Sequence, residues 1–302
     1  MANAFIGCGL AAKFRAEYLT QDSIKYCYDI NPKTQSDFET KFNCKSFDPS
    51  DIPDDVENVF VCTTHKELFG FSKQALLQNK NVCVEKPGAI KSEDLRLLNE
   101  IAIENNKILH VGYSISNTLF EKHNWNNLLH FRGYYAHGAR EEYDKEWRMS
   151  NRLDGGGVDY DLLPHLIHLS LLIDDFEFHS GLNQNVYWQS SCPDFSQINL
   201  VCGAKISSCT VNVCDWKNTF EVNAVFKNSK LVIKDLNSQS GKYTSTSYTE
   251  TGPGIKPKEE IRANEEHFWN YDTRLFLEKV KNNQKTDLTK EIKVLEILEK
   301  TQ

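Results

Sequence analysis

Lys86 is the residue of this sequence whose position best suits chemistry. It follows the apolar run 82–84, which we interpret as a buried parallel strand, and it stands between Glu85 and Pro87. Ligands bind at the carboxyl ends of the strands in open α/β sheets. We therefore expect Lys86 to meet a ligand there, as an ammonium group that stabilises negative charge. The Lys86–Pro87 bond can be cis, because bonds before proline have only a small trans preference.

A second group of candidate residues follows the glycine run 155–157. Asp161 and His165 are four residues apart, so a helix would place them on one face. The glycines allow a close backbone approach or a positive φ, and Pro164 indicates a bend or a first helical turn. An imidazole, whose ordinary pKa is about 6.5, can exchange a proton near neutral pH.

The beginning of the chain carries a phosphate-binding pattern. An apolar strand at 3–6 leads into a Gly-x-Gly-x-x-Ala sequence that opens a helix. In this fingerprint the first glycine permits a tight turn, the second lets a pyrophosphate approach the backbone, and the alanine allows close helix–sheet packing. The free N–H groups of the helix then face the phosphates. The residues that we expect at the phosphates are Gly7, Cys8, Gly9, Leu10 and Ala12.

Asp29 ends the second predicted strand, 20 residues after Gly9. A carboxylate at this place accepts hydrogen bonds from ribose hydroxyls and repels a 2′-phosphate. The sequence therefore predicts NAD in preference to NADP, although Lys33 lies close enough to weaken the preference. In the alternative interpretation, Asp29 is only a turn residue that caps the next helix.

Two further segments reach the same sheet edge. Thr63, Thr64 and His65 follow the next apolar strand, and we expect them to line the cofactor channel. Thr64 is equally well placed to cap a helix, and both roles are compatible. We expect Glu85 to support Lys86 or the cofactor rather than to react, and Lys86 itself to border the cofactor.

The order of predicted elements indicates two domains. Strands alternate with helices through residue 113, which predicts a Rossmann domain over 1–113 with a doubly wound parallel sheet. Residues 114–302 predict an α/β domain with an open, mostly antiparallel sheet, a polar loop over 238–257 and two final helices. Such a sheet often packs against a copy of itself, so we expect a homodimer or homotetramer.

Composition excludes several classes of protein. The 302 residues carry a net charge of −7, which argues against a nucleic acid or an anionic membrane as partner. No apolar run approaches the ~18 residues of a membrane span, and the first strand begins too early for a signal peptide. The nine cysteines form no Cys-x-x-Cys pair, so we expect no metal site. Their odd number, without a secretory signal, favours a reducing, cytoplasmic environment.

Together these motifs resemble the glucose–fructose oxidoreductase and inositol dehydrogenase (Gfo/Idh/MocA) family. The resemblance rests on Gly7-x-Gly9, on Glu85-Lys86-Pro87 and on the glycine run followed by Asp161 and His165. It implies NAD-dependent hydride transfer on the hydroxyl or carbonyl carbon of a sugar, cyclitol or nucleotide-linked sugar. It also implies Lys86, Asp161 and His165 as the catalytic trio, with the proton acceptor either Lys86 or His165.

Two other functions stay open on the same fold. One is a non-catalytic regulator that senses NAD, although such a protein would be expected to lose the reactive trio. The other is a reductase of a non-sugar carbonyl or imine. Leu163 replaces a glycine that the family often has two residues before the histidine, and this change affects the substrate side.

Overall fold

The computed structural model describes residues 1–138, 142–188, 190–237, 240–251, 256–264 and 266–301. The chain forms two compact units. The first comprises Met1–Ser114 together with Trp269–Lys293, and the second comprises Ile115–Phe268 together with Val294–Gln302.

The first unit is built on a six-stranded sheet. Its strands are β1 (Asn3–Ile6), β2 (Ile24–Tyr28), β3 (Lys45–Ser46), β4 (Asn58–Val61), β5 (Asn81–Glu85) and β6 (Leu109–Gly112). They lie in the order β3-β2-β1-β4-β5-β6, and every pair is parallel. This is the doubly wound order of dinucleotide-binding folds, so the predicted Rossmann sheet is confirmed.

Four helices connect these strands, as their sequence signals predict. They are α1 (Leu10–Tyr18), α2 (Pro32–Phe42), α3 (His65–Leu77) and α4 (Ser92–Glu104). The beginning of α2 is the clearest case. The Asn31 side chain accepts hydrogen bonds from the N–H groups of Lys33 and Thr34, and Pro32 occupies the first helical position, where no N–H is needed.

The second unit is built on an eight-stranded sheet. Its strands are β7 (Leu128–Gly138), β8 (Glu177–Gln184), β9 (Phe195–Cys202), β10 (Lys205–Asp215), β11 (Thr219–Phe226), β12 (Ser229–Lys234), β13 (Tyr243–Thr249) and β14 (Lys258–Asn264). They lie in the order β14-β13-β12-β11-β7-β10-β9-β8. Strands β7 and β10 pair in parallel, and the other described pairs are antiparallel. The predicted open, mostly antiparallel sheet is confirmed.

The remaining described helices precede the second sheet in the chain, connect its strands or follow it. They are α5 (Ser114–Lys122), α6 (Trp147–Ser150), α7 (Val158–Asp161) and α8 (Leu163–Ile173), followed near the end of the chain by α9 (Phe268–Lys281) and α10 (Thr289–Glu299). Short 3₁₀ turns lie at Gln21–Ser23, Tyr143–Lys145 and Arg152–Asp154. Helix α8 packs on the sheet: a Cβ on Gly133 of β7 would lie 2.8 Å from Leu166 Cδ2, and Ser170 Oγ lies 2.7 Å from Ser207 Oγ of β10.

The segment Trp269–Lys293 belongs by its contacts to the first unit, whereas the sequence predicts all of 114–302 as the second domain. Phe276 of α9 is fully buried, and its ring meets Phe60 of β4 edge-on at 5.4 Å. Phe60 in turn stacks on Phe5 of β1 at 4.8 Å. Helix α9 therefore completes the core of the first sheet, through contacts between residues far apart in sequence.

The prediction of a loop over 238–257 is wrong for 243–249, which form strand β13. Strand β14 follows directly after that segment. Strand β13 is made of Ser, Thr and Tyr residues, and β14 has no buried residue. Neither shows the apolar alternation that marks a strand. The β pattern after residue 176 predicts a strand over 177–189, and the structure has β8 over Glu177–Gln184. Residue 189 lies outside the described residues, as do 238–239 and 252–255 of the predicted loop. Among the described helices, none combines the length and apolar character needed to cross a membrane.

Candidate functional site

The turn after β1 has the properties of a pyrophosphate cradle. Gly7 has φ +86°, and a Cβ there would lie 2.6 Å from the main-chain oxygen of Cys62, so another residue cannot replace it without distortion. Gly9 differs, because a Cβ on it would meet no atom within 4 Å. It is the N-cap residue of α1. Open space at a helix N-terminus, beside free N–H groups, suits a phosphate.

The other residues of this motif keep the turn against the sheet. Ala12 of α1 is fully buried in the core of the first unit, as close helix–sheet packing requires. Cys8 is also buried, and its thiol lies 3.5 Å from the Tyr28 main-chain oxygen. Leu10 is 62% exposed. An exposed leucine in the first turn of α1 leaves apolar surface beside the cradle.

Asp29 lies directly after β2 and connects it to this turn. Its carboxylate accepts hydrogen bonds from the N–H groups of Cys8 and Asn31, each at 2.8 Å. Asn31, and not Asp29, caps α2, so capping does not explain the carboxylate. Each carboxylate oxygen can accept further hydrogen bonds, which suits a ribose diol. The next residue, Ile30, is 89% exposed and was not among the predicted site residues.

Thr63, Thr64 and His65 follow β4 at the carboxyl edge of the sheet. Thr64 is the N-cap residue of α3, but its side chain makes no cap bond. Thr63 and Thr64 are half-buried, while His65 is 3% exposed in the first turn of the helix. The capping position of Thr64 is confirmed, and a role of the three residues toward a cofactor stays a prediction.

Lys86 lies where the sequence predicts it, one residue beyond β5. Its peptide bond to Pro87 is cis, and the turn is closed by a 2.9 Å hydrogen bond from the Gly88 N–H to the Glu85 oxygen. Lys86 is half-buried. Glu85, the last residue of β5, is 8% exposed and receives a 2.6 Å hydrogen bond from Arg15 Nε. Lys86 thus directly follows a residue, Glu85, whose carboxylate is held by Arg15.

In the second unit, Asp161 and His165 lie on two consecutive helices rather than on one. Helix α7 ends at Asp161, and α8 begins at Leu163. The break follows from Pro164, which lies in the first turn of α8, as the sequence predicts. Both residues stay close to the protein interior, since the Asp161 side chain is 13% exposed and His165 is 8% exposed.

Arg148 of α6 is the ion-pair partner of Asp161. Its Nε lies 3.2 Å from Asp161 Oδ2, and its guanidinium covers the Trp147 ring at 4.6 Å. Burial is the largest single influence on the pKa of Arg148, and it lowers that pKa. The pKa is nevertheless raised, because the charges of Asp161, Tyr143, Glu146 and Tyr135 together outweigh burial, with Asp161 the strongest of them. The sequence leaves open whether Trp147 and Arg148 reach the site or cap the core of the second domain, and the ion pair with Asp161 places Arg148 beside a predicted site residue.

Tyr135 and His137 of β7 also belong to this group, and the sequence predictions missed them. The Tyr135 ring lies 6.1 Å from that of His165, and its hydroxyl lies 3.4 Å from His137 Nε2. Burial raises the pKa of Tyr135, and the charge of Asp161 adds to this. The alternation of β7 is the signal that could have found them, because it places both on the face of the buried Phe131.

The glycine run before α7 has both a positive φ and a close backbone approach, the two properties expected of it. Gly157 has φ +116°, and a Cβ on Gly156 would lie 2.7 Å from the Asn151 main-chain oxygen. The turn is held by Arg152, whose guanidinium forms two hydrogen bonds to the fully buried Asp159 carboxylate, at 2.8 and 2.6 Å. These contacts fix the start of the helix that carries Asp161.

One group of possible metal ligands lies inside the first unit. Polar atoms of Cys83, His110 and Asp272 lie within 4.8 Å of one another. Asp272 is already hydrogen-bonded to Arg15, and His110 Nδ1 to the Lys279 ammonium. The two cations already at the group, Arg15 and Lys279, oppose the binding of a metal cation. Burial also raises the pKa of the Cys83 thiol, so this thiol stays protonated. Hydrogen bonding explains this cluster better than a metal does.

The strand order, the glycine turn and Asp29 define the first unit as a dinucleotide-binding domain. Residues 1–113 match the family model GFO_IDH_MocA, described as "Oxidoreductase family, NAD-binding Rossmann fold". Residues 1–113 are therefore similar to the NAD-binding domain of the Gfo/Idh/MocA oxidoreductases. The resemblance inferred from the motifs and the prediction of an NAD-binding fold are both confirmed.

Solved structures show that the likeness in fold extends over the whole chain. UDP-N-acetylglucosamine 3-dehydrogenase GnnA from Acidithiobacillus ferrooxidans is 14% identical with a TM-score of 0.84, covering 100% of this chain and 96% of that one. Levoglucosan dehydrogenase in complex with NADH and levoglucosan is 13% identical, with a TM-score of 0.82 and the same coverage. GenD2 from gentamicin A biosynthesis, in complex with NAD, is 18% identical with a TM-score of 0.77, covering 99% and 92%. No curated protein sequence matches the chain.

Proposed function

We propose that this protein is an NAD-dependent dehydrogenase or reductase. It transfers a hydride between nicotinamide and the hydroxyl or carbonyl carbon of a sugar, cyclitol or nucleotide-linked sugar. The observation that carries the proposal is the arrangement in the first unit. An open cradle at Gly9, a ribose-type carboxylate at Asp29 and a lysine at Lys86 all follow strands of one parallel sheet, at its carboxyl edge.

NAD, when bound, supplies or accepts the hydride. Lys86 donates a hydrogen bond to the reacting oxygen of the substrate and stabilises the negative charge that develops there. His165 exchanges the proton of that oxygen, which an imidazole can do near neutral pH. Asp161 orients the imidazole or holds a neighbouring hydroxyl. The meeting of Lys86 with Asp161 and His165 is part of the proposal, because they belong to different units.

The second unit offers groups that suit a polyhydroxylated substrate. Tyr135, His137, Arg148 and Asp161 provide donors and acceptors near His165. Because Asp161 already neutralises Arg148, an uncharged hydroxyl-rich ring fits better here than a simple anion. The names of similar structures support this choice, since they include a levoglucosan and an amino-sugar nucleotide dehydrogenase.

The remaining proposals concern the protein's context. We propose NAD in preference to NADP because of Asp29, and a small molecule rather than a nucleic acid or a membrane as partner. All nine cysteines are free, which supports a reducing, cytoplasmic location. We propose a homodimer or homotetramer formed through the eight-stranded sheet, and light scattering coupled to size-exclusion chromatography tests it.

The function is tested by following NADH fluorescence with NAD and a panel of sugars, cyclitols and nucleotide sugars, in both directions. Turnover with any of them is the expected result. NAD binding without turnover on the whole panel would contradict the proposal and favour an NAD-sensing regulator. Turnover confined to non-sugar carbonyls or imines would favour the other reductase class.

A further inference from the structure

Arg15 of α1 is a cation buried inside the first unit. Its side chain has no exposed surface, and its Nε and Nη2 donate hydrogen bonds to Glu85 Oε1 at 2.6 Å and to Asp272 Oδ2 at 2.8 Å. Its guanidinium also lies 5.0 Å from the Trp269 ring. Buried ion groups of this kind rarely add net stability compared with apolar packing. Stability alone therefore does not explain why an arginine occupies this position.

Asp272 is fixed from two directions. Its second oxygen lies 3.1 Å from His110 Nε2, and Lys279 donates to His110 Nδ1 at 3.2 Å. The histidine therefore donates its Nε2 proton to the carboxylate. Arg15 is held in place by a carboxylate that cannot easily move away.

Glu85 is the most exposed of the three ion-paired residues Arg15, Glu85 and Asp272. Its side chain is 10% exposed, whereas those of Arg15 and Asp272 are 0% exposed. It is also the residue before Lys86, whose positive charge acts on it. The network thus leads from the interior to the residue next to the proposed catalytic ammonium.

The sheet makes room for the guanidinium at this place. Glu85 of β5 pairs in register with Gly112 of β6. A Cβ on Gly112 would lie 2.2 Å from Arg15 Nη2. Glycine at position 112 therefore leaves the space that the Arg15 guanidinium occupies.

The charge of Glu85 depends on Arg15. Burial raises the pKa of the Glu85 carboxyl, and the Arg15 ion pair is the main influence that lowers it. Without the guanidinium, a carboxyl this deeply buried would tend to take up a proton.

We propose that Arg15 is a positioning residue that acts through Glu85, holding a negative charge in a fixed place beside Lys86. Asp272, from the returning helix α9, holds Arg15 in turn. The proposal rests on the proposed function in one respect, namely that Lys86 is the reacting lysine.

The test compares Arg15→Met, which removes the charge and the donors, with Arg15→Lys, which keeps the charge. Arg96→Met, on α4, is the matched control. Lys86 is labelled with acetic anhydride at pH 7 in the intact chain, and the rate is followed by peptide mass spectrometry against Lys25 of the same sample. In Arg15→Met we expect Lys86 to react about three- to tenfold faster, because the ammonium has lost its neighbouring charge. Arg15→Lys should lie near wild type.

Kinetics give the second measurement. Arg15→Met should lower kcat by about tenfold or more while the KM for NAD stays within about twofold, and Arg15→Lys should recover much of kcat. Unchanged labelling of Lys86 in a folded Arg15→Met protein would overturn the proposal. If that variant does not fold, Glu85→Gln must give the same faster labelling, and wild-type labelling there refutes the idea. Labelling needs no turnover, so it stays informative even if no substrate is found.

Discussion

The Asp29 carboxylate accepts a 2.8 Å hydrogen bond from the main-chain N–H of Cys8. The end of β2 is thereby tied to the glycine turn after β1, and the proposed acceptor for the ribose is set at a fixed distance from the proposed cradle for the phosphates. One side chain therefore serves local folding and the proposed cofactor site together.

Replacing Asp29 should change the choice of cofactor. We expect wild type to prefer NAD in kcat/KM, and Asp29→Asn to reduce this preference by about tenfold or more, because the charge that repels a 2′-phosphate is gone. Asp37→Asn, an exposed change on α2, should leave the preference unaltered. A wild-type protein that prefers NADP would contradict the assignment.

Replacing Gly7 and replacing Gly9 should have different effects on the protein. Gly7→Ala forces a Cβ against the Cys62 backbone at positive φ, and we expect it to lower the free energy of unfolding by more than about 2 kcal/mol. Gly9→Ala meets no atom of the protein. It should keep Tm within a few degrees but weaken NAD binding by about tenfold, measured by calorimetry. Equal NAD affinity in Gly9→Ala would argue against a phosphate at this position.

Removing the amine of Lys86 should stop turnover and spare the cofactor site. Lys86→Ala is expected to lower kcat by about a thousandfold or more, because the developing charge on the substrate oxygen loses its stabilising ammonium. The Kd for NAD should change only a few-fold. Lys91→Ala, in the loop before α4, serves as control, and near-native turnover of Lys86→Ala would end the catalytic proposal.

Stability of the second unit should fall in mild acid because of His123. Burial lowers the pKa of this imidazole to about 4, beside Trp125 and Tyr243. The unfolded chain, with an ordinary pKa near 6.5, takes up a proton first as pH falls. The folded state is therefore penalised between about pH 6.5 and 4, and the stabilisation present above that range is lost.

His123→Gln should remove this dependence. Between pH 7 and pH 5 we expect wild type to lose on the order of 1–2 kcal/mol more than the variant, measured by urea unfolding. Parallel pH curves for the two proteins would show that His123 is protonated equally in the folded and unfolded states.

Local patterns in the sequence were enough to predict the Rossmann sheet and the residues at the carboxyl ends of its strands. The Gly7–Ala12 spacing, Asp29 after a strand and Lys86 after an apolar run each depend on neighbours along the chain. Arg15 could not be found this way. It sits in a helix where an arginine usually faces solvent, and its partner Asp272 is 257 residues away. Strand β14 was missed for a related reason, because its pairing with β13 rather than its own composition makes it a strand.

Because Trp269–Lys293 belongs to the first unit, that unit cannot finish folding until most of the second unit has been synthesised. A ribosome synthesises residues 1–114 first and must then add the whole of 115–268 before Asp272 and Phe276 exist. At about 5–20 residues per second, the nascent nucleotide-binding unit waits roughly 8–30 s with Arg15 lacking the second of its two carboxylate partners, Asp272, and with an open core face. We expect this unit to reach its final form only after residues 269–293 have been synthesised.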